Sequence, residues 1–242
     1  MSRTRTALAA TVKQFARTPV LLALLVVLPA YFVGVLGAVL PETTVRVETA
    51  TVTTRATMVE GVLPMLAVLA AVVVAGVGGL FLTVNTLDAD GWLSLSGLPA
   101  RSLFAARAGV LLAVAAVGSV AATAVLLVHA SPERVGVFLV ATVLLAATYG
   151  LVGAVAGVFL NRLGGVYAML FAPTVDLFLF HSPLATDAPA WADLLPGRWA
   201  GTAAMEAAIG GDPNWSALGV GAAWLAVAAG FAGVAVRHAV RE

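Results

Sequence analysis

Asp176 is the residue of this chain best placed to do chemistry. It stands in FAPTVDLFLF, with apolar residues on both sides. An unpaired acid inside a membrane span costs about 2.5–3.5 kcal/mol on insertion scales, so it must face protein or water. Counted as a helix from Gly164, it lies roughly 18 Å along its span, somewhat beyond the midplane. Pro173, three residues earlier, lacks an N–H and frees the carbonyl of Met169. Two roles are open to this pair. Asp176 and Pro173 line a transport or gating pathway, or Asp176 caps a broken helix end or pairs with a basic residue once the helices assemble.

Other reactive chemistry is thin. The chain has no Cys, which excludes disulfides, thiolate metal sites and a cysteine nucleophile. His129 and His181 both fall near helix ends on one side of the membrane. With no Cys nearby and no third ligand, they read as interfacial histidines rather than a metal pair. Ser119, beside Gly118, has no His partner at matching depth for a serine hydrolase. Asp90-Gly91 with Ala100-Arg101 falls short of the DGxxAR motif of membrane phosphatidyl transferases, which needs two further Asp on the following helix. The only Lys is Lys13, so no GxxxxGK[ST] phosphate loop exists. The chain is expected to be no enzyme, with no catalytic, metal or cofactor residues and no nucleotide site of its own.

The stretch that organises the sequence is Asn85–Arg107, NTLDADGWLSLSGLPARSLFAAR, a polar island between two apolar runs. Two Asp, two Arg, three Ser, two Gly and a Pro share it with Trp92, Leu93, Leu95 and Leu98. Gly91 and Pro99 break the backbone at either side, and the spaced apolar residues suit an amphipathic segment along a membrane face. A passive loop accounts for the polarity but not for the apolar spacing.

Composition defines the elements around these residues. With 61% apolar and 10% charged residues and a mean hydropathy of +1.03, the chain is expected to be an all-α polytopic membrane protein. Residues 2–18 read as an amphipathic interfacial helix, with Leu8, Val12 and Phe15 on one face and Arg3, Arg5, Lys13 and Arg17 for an anionic leaflet. The run that follows exceeds a signal-peptide core and lacks a small-x-small exit, so cleavage is not expected. Six spans are expected at about 19–40, 59–84, 103–129, 135–160, 166–181 and 216–236. Between them, 85–102 is one loop and 182–215 a long connection rich in Pro and Gly breaks. Gly150, Gly153 and Gly157 give the fourth span a small-residue face for packing on a neighbour.

Orientation follows from the thirteen Lys and Arg residues. With the N-terminus inside, Arg3, Arg5, Lys13, Arg17, Arg101, Arg107, Arg162, Arg237 and Arg241 are cytoplasmic. Only Arg46, Arg55, Arg134 and Arg198 are then outside. Both termini and the Asn85–Arg107 island are thus expected in the cytoplasm. Reporter fusions at Val47 and Gly211 should both read outside and one at Ser96 inside; an inside signal at Gly211 would break this topology.

Taken together, these features resemble the membrane-spanning permease subunit of type-2 ABC transporters over nearly the full chain. The family's acidic-Gly-Leu…Leu…Pro…basic first cytoplasmic loop is similar to Asp90, Gly91, Leu93, Leu95, Pro99, Arg101 and Arg107. Its outer apolar-Leu-Pro-aromatic element resembles Trp191, Leu194, Leu195, Pro196 and Trp199. Asp stands here for the commoner Glu, the Gly-to-Pro distance is a residue short, and the basic residue follows Pro99 more closely.

The resemblance implies a half-transporter in the plasma membrane, most simply an exporter. It would pair with a second permease subunit, identical or paralogous, and would bind lipid bilayer but no nucleic acid. A separate cytosolic ABC ATPase would hold the ATP and dock on the loop through Asp88, Asp90, Gly91, Trp92, Leu93, Leu95, Pro99 and Arg101. The rival is a six-span secondary transporter. The Gly76–Gly79 cluster and Pro173 occupy matching positions in two three-span halves, while Asp176 is the one clear intramembrane charge for coupling to an ion gradient.

Overall fold

The computed structural model describes residues 19–41, 43–49, 53–85, 100–182 and 189–239. The interfacial helix expected over 2–18 lies outside the described residues, as do Asp88, Asp90, Gly91, Trp92, Leu93, Leu95 and Pro99. Arg101 falls in the first turn of a helix that begins at Ala100, three residues before the expected start of the third span.

Six helices among the described residues are long and apolar enough to cross a membrane: Leu21–Val39, Met58–Val84, Phe104–His129, Val135–Phe159, Arg162–Phe180 and Trp215–Val236. The protein is a multi-pass membrane protein built mainly of α-helices. The first span consists of α1 (Pro19–Pro29), a π-turn (Ala30–Val35) and α2 (Leu36–Val39). The second is α3 (Met58–Val84), the third α4 (Ala100–His129) and the fourth α5 (Val135–Phe159). The fifth joins α6 (Arg162–Thr174) to a second π-turn (Val175–Phe180). After a 3-10 turn (Ala190–Leu194) come α7 (Pro196–Ile209) and the sixth span, α8 (Trp215–Ala239).

The core forms around α3. Its sequence is apolar on every face, which fits a helix enclosed by others rather than one with a single buried stripe. Gly61 and every residue from Leu63 to Thr83 are buried. Helices α1, α4, α5, α6 and α7 all pack against it. Its start is fixed by Thr57-x-x-Glu60: the Thr57 hydroxyl accepts from the Glu60 N–H at 3.2 Å, and Glu60 Oε2 accepts from the Thr57 N–H at 3.0 Å. This reciprocal capping box satisfies two end groups that would otherwise lack partners.

Helices α3 and α5 approach backbone to backbone. Gly150, Gly153 and Gly157 all face α3, on Ala75, Gly76 and Leu80 respectively. A Cβ on Gly153 would overlap the Gly76 carbonyl oxygen, and one on Gly79 would overlap the Gly150 carbonyl oxygen. Only glycine permits such contact, and close backbone approach is how helices associate where lipid supplies no hydrophobic drive.

At one end of the bundle, β1 (Thr44–Glu48) pairs antiparallel with β2 (Thr53–Thr57), Arg46 opposite Arg55. The alternating TVRVE and TTRAT segments carry the period of two that a half-buried strand needs. Val47 is fully buried, and its Cγ2 lies 2.8 Å from where a Cβ on Gly61 would stand, so the hairpin is seated on the first turn of α3. At the opposite end, the Arg162 guanidinium lies 4.7 Å over the Phe81 ring, and its Nη2 donates to Asn85 Oδ1 at 3.4 Å. These contacts tie the start of α6 to the end of α3.

Candidate functional site

The connection between the fifth and sixth spans returns into the bundle. Helix α7 has fourteen residues and so is roughly 21 Å long. The carbonyls of Ala207 and Ala208 at its end accept from the N–H groups of Arg134 at 2.9 Å and Glu133 at 3.2 Å, in the turn between α4 and α5. Its first turn reaches inward to Asp176, fourteen positions beyond Arg162. Pro196 at its first position sets the backbone for a helix and has no N–H to satisfy. Small residues cover its length, and Gly197, Ala200, Gly201, Ala203, Ala204, Ala207 and Ala208 are buried. Such a helix is sustainable within a membrane only with both ends satisfied by protein, and here they are.

Asp176 is the group that satisfies its inner end. It sits in the π-turn directly after Pro173, which is itself buried in α6, and is only 2% exposed. The missing N–H of Pro173 weakens the helical ladder, and the wider π-turn follows at once; such turns recur at functional sites. Three donors from three elements converge on the side chain. Tyr149 Oη of α5 donates to Oδ2 at 2.5 Å, and the Gly197 N–H of α7 donates to the same oxygen at 2.8 Å. His181 Nδ1, just past the π-turn, lies 2.8 Å from Oδ1. A Cβ on Gly197 would stand 2.6 Å from the carboxylate carbon, so only glycine admits the acid this close to the helix start. A carboxylate there also meets the positive end of the α7 dipole.

The geometry places a proton on Nδ1 of His181. Nδ1 lies 3.0 Å from the main-chain carbonyl oxygen of Asp176 as well as 2.8 Å from Oδ1. A carbonyl oxygen can only accept, so the Nδ1 proton faces both oxygens. The opposite nitrogen, Nε2, is buried without a hydrogen-bond partner. What the cluster can do is hold and exchange a proton. No group of three or more metal-ligating side chains occurs among the described residues.

No protein-family model, curated protein or solved structure matches this chain.

Asp176 accepts from the Gly197 N–H in the first turn of α7 and lies 2.8 Å from His181 Nδ1. The reading of His181 as an interfacial histidine is corrected. Its side chain is only 3% exposed and lies against Asp176 inside the bundle. His129, by contrast, is exposed at the end of α4. Ser119 is fully buried within α4 and Arg107 is 6% exposed near its start.

Glu206 belongs to a second polar site. It is fully buried on α7, accepts from Asn214 Nδ2 at 3.0 Å and from Thr49 Oγ1 at 3.5 Å, and so joins α7 to both the hairpin and the loop before α8. Its neighbours in sequence, AAMEAA, gave the only signal: an acid amid small residues suited to close packing.

Proposed function

We propose that the chain is the permease subunit of an ATP-binding-cassette transporter, an exporter working in a pair with a second, identical or paralogous, permease subunit. A separate cytosolic ATPase drives it through the stretch between α3 and α4. Both termini and that stretch lie in the cytoplasm of this reading, in the plasma membrane, on the strength of the nine-to-four bias of basic residues.

One observation carries the reading: the helix that leads into the 86–99 stretch is the central one. Force applied at the Asn85 end of α3 would reach α1, α4, α5, α6 and α7 directly, because all pack on it. The Arg162 contacts with Phe81 and Asn85 add the fifth span at that same end. A rigid central helix is a suitable receiver for rigid-body rocking of the bundle. With no phosphate loop of its own, the chain must take that work from a partner.

A secondary transporter is the second reading, favoured by the buried Asp176–His181–Tyr149 cluster on an interrupted helix. Affinity purification from native membranes separates the two. The ABC reading expects a copurifying ATPase and ATP hydrolysis that is absent from the isolated chain. Gradient-driven uptake by the chain alone in liposomes would favour the rival and overturn the first.

A further inference from the structure

We propose that Nε2 of His181 is a proton-binding site inside the bundle, kept ready by Asp176, which holds the imidazole in the tautomer that leaves Nε2 bare. Three observations point there together. The Nδ1 proton is committed to two oxygens of Asp176. Nε2 is enclosed and has no partner. The carboxylate that orients the ring also receives Tyr149 and the Gly197 N–H, which keeps it in place.

An enclosed, bare nitrogen leaves room for little else. A ligand of several atoms would need the surrounding side chains to move much further than the brief entry of one water carrying a proton. The electrostatics favour it as well. With His181 neutral, a carboxylate and two neutral rings carry one net negative charge out of water. A proton on Nε2 turns this into a carboxylate–imidazolium pair of zero net charge, which a low-dielectric interior tolerates far better. The balance is simple: a hydronium ion loses a proton and leaves as water, an Nε2–H bond forms, and the Nδ1–H bond to Asp176 is retained.

The other charged groups nearby leave this balance intact. On α5 the facing titratable group is Tyr149. The first turn of α7 offers Arg198, whose Nε is 3.0 Å from Asp193 Oδ1 of the 3-10 turn, so those two charges answer each other. The acid of α3, Glu60, is held by Thr57 at the hairpin end. Among the described residues, Asp176 is thus the charge that His181 meets. The proposal rests on the chain spanning a membrane and stands whichever energy source drives transport.

The test is nitrogen-15 spectroscopy of histidine-labelled protein in lipid nanodiscs. The chain has three His, so His129→Gln with His238→Gln leaves the signal of His181 alone. At about pH 8 the Nδ1–H tautomer is expected, with a bare Nε2 resonance. On acidification to about pH 5, that resonance should give way to one from a protonated nitrogen. Asp176→Asn, which leaves the main-chain carbonyl as an acceptor, should weaken the tautomer preference, and Asp212→Asn, an exposed acid paired with Arg134, should preserve it. An Nε2–H tautomer at the higher pH, or a bare Nε2 that persists throughout, would overturn the proposal. Either result would leave the ATPase reading untouched, since no nucleotide or partner enters the measurement.

Discussion

Gly153→Ala is expected to destabilise the bundle strongly for a single added methyl group. The new carbon would overlap the carbonyl oxygen of Gly76, a backbone atom that cannot rotate away. Helices α3 and α5 would have to separate, and α3 is the helix on which five others rest. Overpacking ordinarily costs about 1–3 kcal/mol; with rigid backbone on both sides, the upper part of that range is expected. Gly79→Ala, which would strike the Gly150 carbonyl oxygen, should behave in the same way. Gly136→Ala and Gly230→Ala serve as controls, because nothing lies within 4 Å of a Cβ at either position. Thermal unfolding in mild detergent provides the measurement. Midpoints for Gly153→Ala and Gly79→Ala equal to those of the controls would contradict the close crossing.

How far the sequence discloses such features depends on the strength of the local signal. The six apolar runs are long and continuous, and hydrophobic length alone marks them as spans. The glycines of the fourth span recur at helical spacing, so a small-residue face is legible, although which helix it meets is not. The β1–β2 hairpin is less visible. Its Thr- and Val-rich strands are short and interrupted by charge, and their pairing depends on Val47 finding the glycine at position 61 of α3.

Helix α7 is harder still to read. Pro196 and two glycines read as breaks and mask the helix-forming alanines that follow, and the segment is held as a helix by burial against α3, α5 and α8. The site inherits this difficulty. Asp176 stands out because an acid amid apolar residues demands a partner, yet its partners come from Tyr149, 27 positions earlier, and Gly197, 21 positions later. Nothing in their own neighbourhoods marks them. His181 is the exception, five residues from Asp176 and just past the end of the fifth span at Phe180, a position that by itself reads as interfacial.

If an ATPase docks on the stretch between α3 and α4, altering the apolar anchors of that stretch must weaken the contact. Trp92→Ala removes the largest of them; loss of a buried interface aromatic can cost about 2 kcal/mol, or roughly a thirtyfold weakening of binding. Leu95→Asp should weaken binding at least as much, by forcing a charge into an apolar contact. Neither residue lies in a span, so membrane level and topology should remain those of the parent. The deciding measurement is the amount of ATPase retained on each tagged variant in detergent, relative to the parent at equal loading. A loss on the order of thirtyfold in affinity is expected for Trp92→Ala, and no smaller a loss for Leu95→Asp. Retention equal to the parent by both variants would contradict it, and the stretch would then be a passive connector.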